Sequence, residues 1–424
     1  MYYFYWIPIG IEARARRTPW ATIGLVALNV AAWAWFEAGP GSEAQFLALG
    51  FKASEPSLLT LLTSSFLHAS FFHLAGNMIY LAALGPALET RMGPARYLIA
   101  YAGCGGIGDL SQAAWVLHSA PELASVPIVG ASAAISGLLG LLLVRLYFAR
   151  VRFASVTMLL LHGVVKPARF ALPAAIAVGI WFGLDLVYLL AEQASEVATM
   201  AHLSSCVFGA GLALLLGMRG EARLERLIVR GNRYAERAEW FAALGEYESY
   251  LAGRPEDAGV LAQAARVHRV THQEAEALRR FREAIRAWLR QGDLRAASDG
   301  YDEMRRLLGD ATLPGPDLLR LGRALERGGR PGDASRVYEA YGRLYPDAPG
   351  AAAAMLKSAG IEQSRLNNPA RARFLYHELL ARVLDPDLAE VVRLRADAAE
   401  RALRRLRGPG PPAVTAGSST PPAP

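Results

Sequence analysis

Two cysteines in 424 residues, Cys104 and Cys206, are too few for a disulfide framework or a cysteine-based zinc site, and both fall in apolar stretches. Basic charge is not organised for nucleic acid. The formal net charge is +7, yet no run of Lys and Arg is interleaved with aromatics, and the arginines flank apolar stretches or lie among carboxylates. Met1 to Gly10 is aromatic and uncharged, and the apolar stretch that follows lacks a small-residue cleavage site, so no cleavable signal peptide is expected. Charge is the scarcest commodity between residues 20 and 218, where Ala, Leu, Gly, Val and aromatics dominate, whereas 219–408 is rich in Arg, Glu and Ala. The contrast predicts a membrane half followed by a soluble half.

A spanning helix needs roughly 20 mostly apolar residues. Six stretches qualify, at about 20–37, 69–88, 96–117, 127–148, 170–190 and 199–218. Cytoplasmic connections carry the excess of Lys and Arg. Arg14, Arg16 and Arg17 precede the first stretch, Arg91 and Arg96 separate the second from the third, and Arg150, Arg152, Lys166 and Arg169 separate the fourth from the fifth; the alternate connections hold only Lys52. Both termini are therefore expected in the cytoplasm, and the second, fourth and sixth spans run from outside to inside.

Polar side chains inside such spans are costly and read as functional. Gly130-Ala131-Ser132-Ala133-Ala134 opens the fourth stretch, His73 and Asn77 lie near the outer end of the second, and His202 near that of the sixth. At about 1.5 Å per residue, Ser132 is expected roughly 8 Å below the start of its span, at the level of the other three. His73 and Asn77 are four apart, so they share a helix face. Ser132 can give its proton to His202, and His73 and Asn77 can donate to a developing oxyanion, the division of labour that acyl transfer requires. Small residues permit the necessary approach: Ala201, Ser205, Gly209, Ala213 and Gly217 recur every fourth position in the sixth stretch, and Ala133 and Gly137 in the fourth, with Gly140 beside them.

Taken singly, Ser132 fits a packing residue on a small-residue face, and either histidine fits the headgroup region. Their common level and order favour a proteolytic site. His68 and His73 do not have the His-Glu-x-x-His spacing and lack a third ligand, so no metal is expected. A rival lies in Gly106-Ile107-Gly108-Asp109, a Gly-x-Gly-Asp pattern used by intramembrane aspartyl proteases, with Asp185 as a second intramembrane carboxylate. There the partner aspartate precedes the motif in a Tyr-Asp pair; Asp185 follows it, as Leu184-Asp185.

The ordered set resembles the rhomboid family of intramembrane serine proteases across residues 7–218. It runs from Ile7-Pro8-Ile9 and Leu28-Asn29-Val30, through Phe66–Met78 with His68, His73 and Asn77, to Leu88-Glu89 and Arg91-Met92-Gly93. Gly130 to Gly137 and Ala201-His202 followed by Gly209 complete it. The resemblance implies Ser132 as nucleophile and His202 as its base, in a dyad without an acidic partner. It also implies an oxyanion pocket of His73, Asn77 and the backbone at Ser132, a first loop over 38–67 partly embedded in the membrane, and no cofactor. His68, Gly130, Gly137, Ser205 and Gly209 are expected to support the site. Three residues depart from the family pattern: Ala133 and Ser205 stand where glycines are usual, and Ser136 where some relatives carry an aromatic against the imidazole, which leaves His202 less constrained.

Beyond Arg219 a 34-residue period appears. Leu227, Gly231, Tyr234, Ala243, Tyr247 and Pro255 resemble tetratricopeptide repeat positions, and Leu318, Leu321-Gly322, Leu325, Ala334, Tyr338 and Pro346 repeat them. Leu261, Ala264-Ala265, Ala277, Phe281 and Ala284 form a weaker copy, Ala370 with Phe374 suggests a degenerate one, and 294–308 fits less well. From 408 onward Pro, Gly, Ser and Ala predict a disordered tail.

The expected fold is thus all-α: a six-span rhomboid-like domain (1–220), a cytoplasmic tetratricopeptide-like solenoid (221–407) and the tail (408–424). The expected activity is cleavage of transmembrane helices near the outer face of a bilayer, most readily that of a bacterial inner membrane. The solenoid is expected to recruit a cytoplasmic protein or peptide; the lesser alternative is a helical cap without a partner. Nucleic acid is not an expected partner. The alternative from another class is a non-catalytic rhomboid-like protein that binds membrane clients.

Overall fold

The computed structural model describes residues 2–13, 17–37, 39, 43–159, 164–190, 198–309 and 311–407. Arg14 and Arg16 of the orientation argument and the expected tail from 408 lie outside the described residues. The chain divides into two compact units, Met1–Arg226 and Leu227–Pro424.

In the first unit β1 (Tyr2–Ile11) precedes helices α1 (Trp20–Glu37), α2 (Glu43–Leu49), α3 (Leu58–Thr63), α4 (Phe71–Met92), α5 (Pro94–Ser119) and α6 (Ser132–Arg145). Strands β2 (Arg150–Leu159) and β3 (Val164–Pro173) follow, then α7 (Ala174–Leu190), α8 (Thr199–Leu215) and α9 (Met218–Glu236), whose residues from Leu227 onward belong to the second unit. Each of the six expected apolar stretches holds one helix: α1, α4, α5, α6, α7 and α8. The expected boundary at 220/221 falls inside α9.

By length and composition only α4 among the described helices is sufficient by itself to cross a membrane; α8 with α9, bent by 79°, passes as a pair, and α6 and α7 are apolar but shorter. The fourth stretch loses residues at both ends. Gly130 takes φ +120°, which an L side chain rarely adopts, so the helix begins only at Ser132. Ser132 is therefore the first residue of α6 rather than part of its second turn.

The expectation of an all-α chain is corrected at one place. β1, β2 and β3 form a three-stranded antiparallel sheet in that order, with Tyr2 opposite Leu159, Pro8 opposite Phe153, and Arg150 opposite Pro173. The 149–169 connection was expected to be a basic loop, and the fifth helix to start at 170; that helix starts at Ala174 because 170–173 finish β3. Period-two alternation explains the strand: Val151, Phe153 and Ser155 are buried while Arg150 and Arg152 are exposed.

The core of this unit collects Leu81, Leu84 and Leu88 of α4, Tyr97, Tyr101 and Cys104 of α5, and Ile135, Leu138, Leu141 and Leu142 of α6. Large apolar side chains also point outward, among them Phe72, Ile99, Leu190 and Leu215, the last 87% exposed. Such an apolar exterior suits hydrocarbon better than water. Two buried carboxylates tie elements together. Glu89 accepts from the Ala21 and Thr22 amides and the Thr22 hydroxyl at 2.7–2.9 Å, capping the start of α1. Glu225 of α9 meets Arg91 at 2.5 Å and Arg145 at 2.8 Å.

The second unit continues with α10 (Trp240–Gly253), α11 (Ala258–Val270), α12 (Glu274–Gln291), α13 (Leu294–Leu308) and α14 (Gly315–Arg327). After these come α15 (Pro331–Leu344), α16 (Ala351–Ser364), α17 (Pro369–Leu380) and α18 (Pro386–Arg407). Sequence neighbours pack as hairpins, and the repeated glycine–tyrosine spacing has a physical use. A methyl group on Gly231 would stand 2.5 Å from the Tyr247 ring, and one on Gly322 would stand 2.9 Å from the Tyr338 ring. Each tyrosine hydroxyl then reaches the preceding helix, Tyr247 at Asn232 (2.8 Å) and Tyr338 at Glu326 (2.7 Å). Burial pushes both phenols above their ordinary pKa.

Candidate active site

Helices α6 and α8 cross in backbone contact. A methyl group on Gly209 would overlap the Gly137 carbonyl oxygen, and one on Gly140 would overlap that of Cys206. This is the approach that the small-residue stripes predicted, and it sets the turn bearing Ser132 beside the turn bearing His202. Helix α5 marks their common level: a methyl group on Gly108 would lie 2.8 Å from the Ala201 oxygen and 2.9 Å from the Ala133 methyl. Ala133 and Ala201 are the chain neighbours of Ser132 and His202.

Ser205 does not obstruct this crossing. It is fully buried, and its hydroxyl donates to the Cys104 carbonyl at 2.6 Å, so the residue that replaces a usual glycine fastens α8 to α5. Gln112 of α5 adds a second tie by accepting from the Ala201 amide at 3.2 Å, which anchors the start of α8 one residue before His202.

Ser132 is half-buried and begins α6 behind Ala131, a position with no side-chain cap. Ser, Thr, Asn and Asp are the usual caps, because the first amides of a helix have no partner within it. Ala131 offers those amides no side-chain cap, and they lie beside Ser132 at the positive end of the helix dipole. Across from them His73 and Asn77 lie over Gly130. A methyl group there would be 2.8 Å from His73 Nε2 and 3.6 Å from Asn77 Nδ2, so Gly130 serves both its left-handed turn and this clearance. Asn77 Nδ2 also donates to His68 Nε2 at 3.0 Å, and His68 and His73 meet edge to face with centroids 5.1 Å apart. His68 thus holds the Asn77 amide, while Ser70 starts the helix by accepting from the His73 backbone at 3.2 Å.

His202, 7% exposed, lies within electrostatic range of His73. Among the described residues no hydrogen bond joins Ser132 to His202. The imidazole instead engages α7. Its Nδ1 is 3.2 Å from Asp185 Oδ2, which also accepts from Trp181 Nε1 at 2.9 Å, and the Trp181 ring stands edge-on to the imidazole with centroids 6.2 Å apart. The resemblance implies a histidine without an acidic partner, and here Asp185 Oδ2 lies within hydrogen-bond distance of the ring. Ser136 is buried, and the aromatic ring beside the imidazole comes from Trp181 on another helix. In the sequence Asp185 stands out only as the second carboxylate of the Gly-x-Gly-Asp rival and Trp181 does not stand out, although their spacing of four on an apolar helix is a usable signal.

The carboxylate-pair rival finds no geometry. Asp109 accepts from the Ser64 hydroxyl at 2.9 Å, whereas Asp185 is engaged by Trp181 and His202. Among the described residues no group of three or more His, Cys, Asp or Glu side chains could hold a metal ion, and both cysteines are free and buried.

Comparison with known proteins converges on the same region. The rhomboid domain pattern matches residues 55–219. YdcA of Bacillus subtilis (strain 168), named for the rhomboid proteases, is 40% identical over 88 residues, which cover 21% of this chain and 41% of that protein. Rhomboid protease GluP of the same organism is 32% identical over 131 residues, covering 30% of this chain and 24% of GluP. The chain thus spans less than half the length of either relative. A rhomboid domain is a membrane-embedded fold, in keeping with the apolar exterior of the first unit. The chain is an integral membrane protein whose residues 55–219 form a rhomboid domain.

Proposed function

We propose that this protein is an intramembrane serine endopeptidase in which Ser132 attacks and His202 is the general base. The observation that supports the reading is the backbone contact of α6 and α8 at Gly137 and Gly209, which draws together the two helices that bear Ser132 and His202 near their first turns. The scissile carbonyl carbon receives the Ser132 oxygen while His202 takes the hydroxyl proton. The carbonyl oxygen, now negative, is held by the first amides of α6 with His73 and Asn77. Collapse expels the amine, which takes the proton from His202, and water then hydrolyses the acyl-enzyme.

In this reading α1, α4, α5, α6, α7 and α8 are six spans, both termini are cytoplasmic, and substrates are transmembrane helices cut near the outer face. Entry is from the lipid past α7, and cleavage falls where small residues let the helix unwind. The names of the two relatives support protease activity. The helical hairpins after Leu227, with their glycine–tyrosine packing, support a tetratricopeptide-like module that recruits a cytoplasmic protein or peptide.

The test uses purified full-length protein in liposomes with a panel of fluorogenic transmembrane substrates, beside Ser132→Ala. Cleavage abolished by the substitution is expected, together with fluorophosphonate labelling at Ser132 that disappears in His202→Ala. Cleavage indifferent to Ser132→Ala removes the serine mechanism. An inert wild type that still captures substrates identifies a client-binding protein instead.

A further inference from the structure

We infer that Asp185 is the positioning residue of this site, so that Ser132, His202 and Asp185 operate as a three-member set built across α6, α8 and α7; the inference rests on the serine protease reading above. A carboxylate within an apolar span is costly unless its oxygens are satisfied. Asp185 Oδ2 is satisfied by two donors on different helices, Trp181 Nε1 at 2.9 Å and His202 Nδ1 at 3.2 Å. An ionised carboxylate only accepts, so this contact fixes the imidazole proton on Nδ1 and leaves Nε2 with the lone pair that a general base needs.

Trp181 keeps the carboxylate in place in turn. It bonds Asp185 one helical turn away, stands edge-on to His202, and packs against Tyr80 of α4 with centroids 4.6 Å apart. Asp185 borders a cavity of about 390 Å³ whose other walls include Tyr80, Leu84, Leu184 and Tyr188. In surroundings this apolar, a carboxylate acts on a charged imidazole with little screening.

During attack the Ser132 hydroxyl proton passes to His202 Nε2 as the oxygen–carbon bond forms and the carbonyl pair moves onto its oxygen. The imidazolium then carries both ring protons, with Nδ1–H held against the Asp185 carboxylate. When the carbon–nitrogen bond breaks, the Nε2 proton leaves with the amine. Asp185 takes no proton at any step; it selects the ring orientation and balances the charge that His202 acquires.

The test combines spectroscopy and kinetics on the full chain in lipid nanodiscs. Nitrogen-15 spectra of histidine-labelled protein, with His202 assigned by its loss in His202→Gln, are expected to show the Nδ1-protonated tautomer at neutral pH and its loss in Asp185→Asn. Cleavage by Asp185→Asn is expected to fall at least about 10²-fold in kcat with KM within about threefold, and Asp185→Glu to recover part of the loss. A wild-type His202 protonated on Nε2 overturns the inference without any variant. So does an Asp185→Asn enzyme with kcat within about threefold of wild type while Ser132→Ala is dead, an outcome that leaves the protease reading standing. A wild type without Ser132-dependent cleavage removes both.

Discussion

Gly137 and Gly209 touch through their main chains: any side chain on Gly209 is directed into the Gly137 carbonyl. The small residues along α6 and α8 are therefore a distance setting for the two functional turns, and one methyl group is enough to alter it. Gly209→Ala is expected to push the helices apart, to destabilise by about 1–3 kcal/mol, and to lower cleavage far more than stability. Thermal unfolding and substrate turnover measured on the same liposome preparation check this. Gly211, whose added methyl meets no atom within 4 Å, is the control, and Gly211→Ala is expected to be silent.

Ser205 departs from the usual glycine yet donates to the Cys104 carbonyl from a fully buried position. Removing the hydroxyl loses this tie between α8 and α5, expected to cost about 0.5–1.5 kcal/mol. Ser205→Gly restores the family pattern and is expected to retain activity at a lower unfolding temperature. A variant as stable as wild type would show that the hydroxyl contributes no support.

Much of the site was legible in the sequence because its parts are local. A glycine before the serine, a histidine and asparagine one turn apart, and small residues every fourth position each have meaning within one helix. What escaped depends on contacts distant in sequence. Asp185 and His202 are 17 residues apart on different helices, and Arg91 and Glu225 are 134 apart. Arg91 was read as a loop cation that orients the chain, but its side chain is 4% exposed and bonded to a carboxylate. The sheet escaped for another reason. Arg150, Val151, Arg152 and Phe153 alternate as a strand does, but the same arginines satisfy the charge rule for a cytoplasmic loop, so the sequence carries both signals at once.

Glu225 between Arg91 and Arg145 gives a prediction about stability. Both ion pairs are largely shielded, and removing the carboxylate leaves two guanidinium groups facing each other. Glu225→Ala is expected to destabilise by about 3–5 kcal/mol, the cost of an uncompensated buried charge. Replacing the whole cluster by Met at 91, 145 and 225 is expected to recover most of that loss. Urea unfolding in mild detergent distinguishes the two; equal loss in both variants would mean that packing rather than charge is responsible.

The second unit should be acid-sensitive. Hydrogen bonds from Arg266, Lys357 and Arg343 hold Glu303, Glu326 and Glu378, respectively, below the usual 4.5. A depressed carboxyl pKa means that the folded chain binds fewer protons than the unfolded chain near pH 4. The stability these pairs add is therefore complete above the unfolded value and fades as pH falls through the folded one. Each pair is partly exposed and worth only about 0.2–1 kcal/mol, so the effect is cumulative. Trp288, packed on Gly300 within this unit, offers a local probe by fluorine NMR of fluorotryptophan-labelled protein. Thermal midpoints read from its signal are expected to hold steady from pH 7 to 5 and to drop as pH falls below 4.5, whereas Glu303→Gln should begin lower at pH 7 and converge with wild type once Glu303 is protonated in both folded and unfolded chain. A constant gap between the two across that range would assign the loss to packing around Arg266 rather than to proton uptake by Glu303.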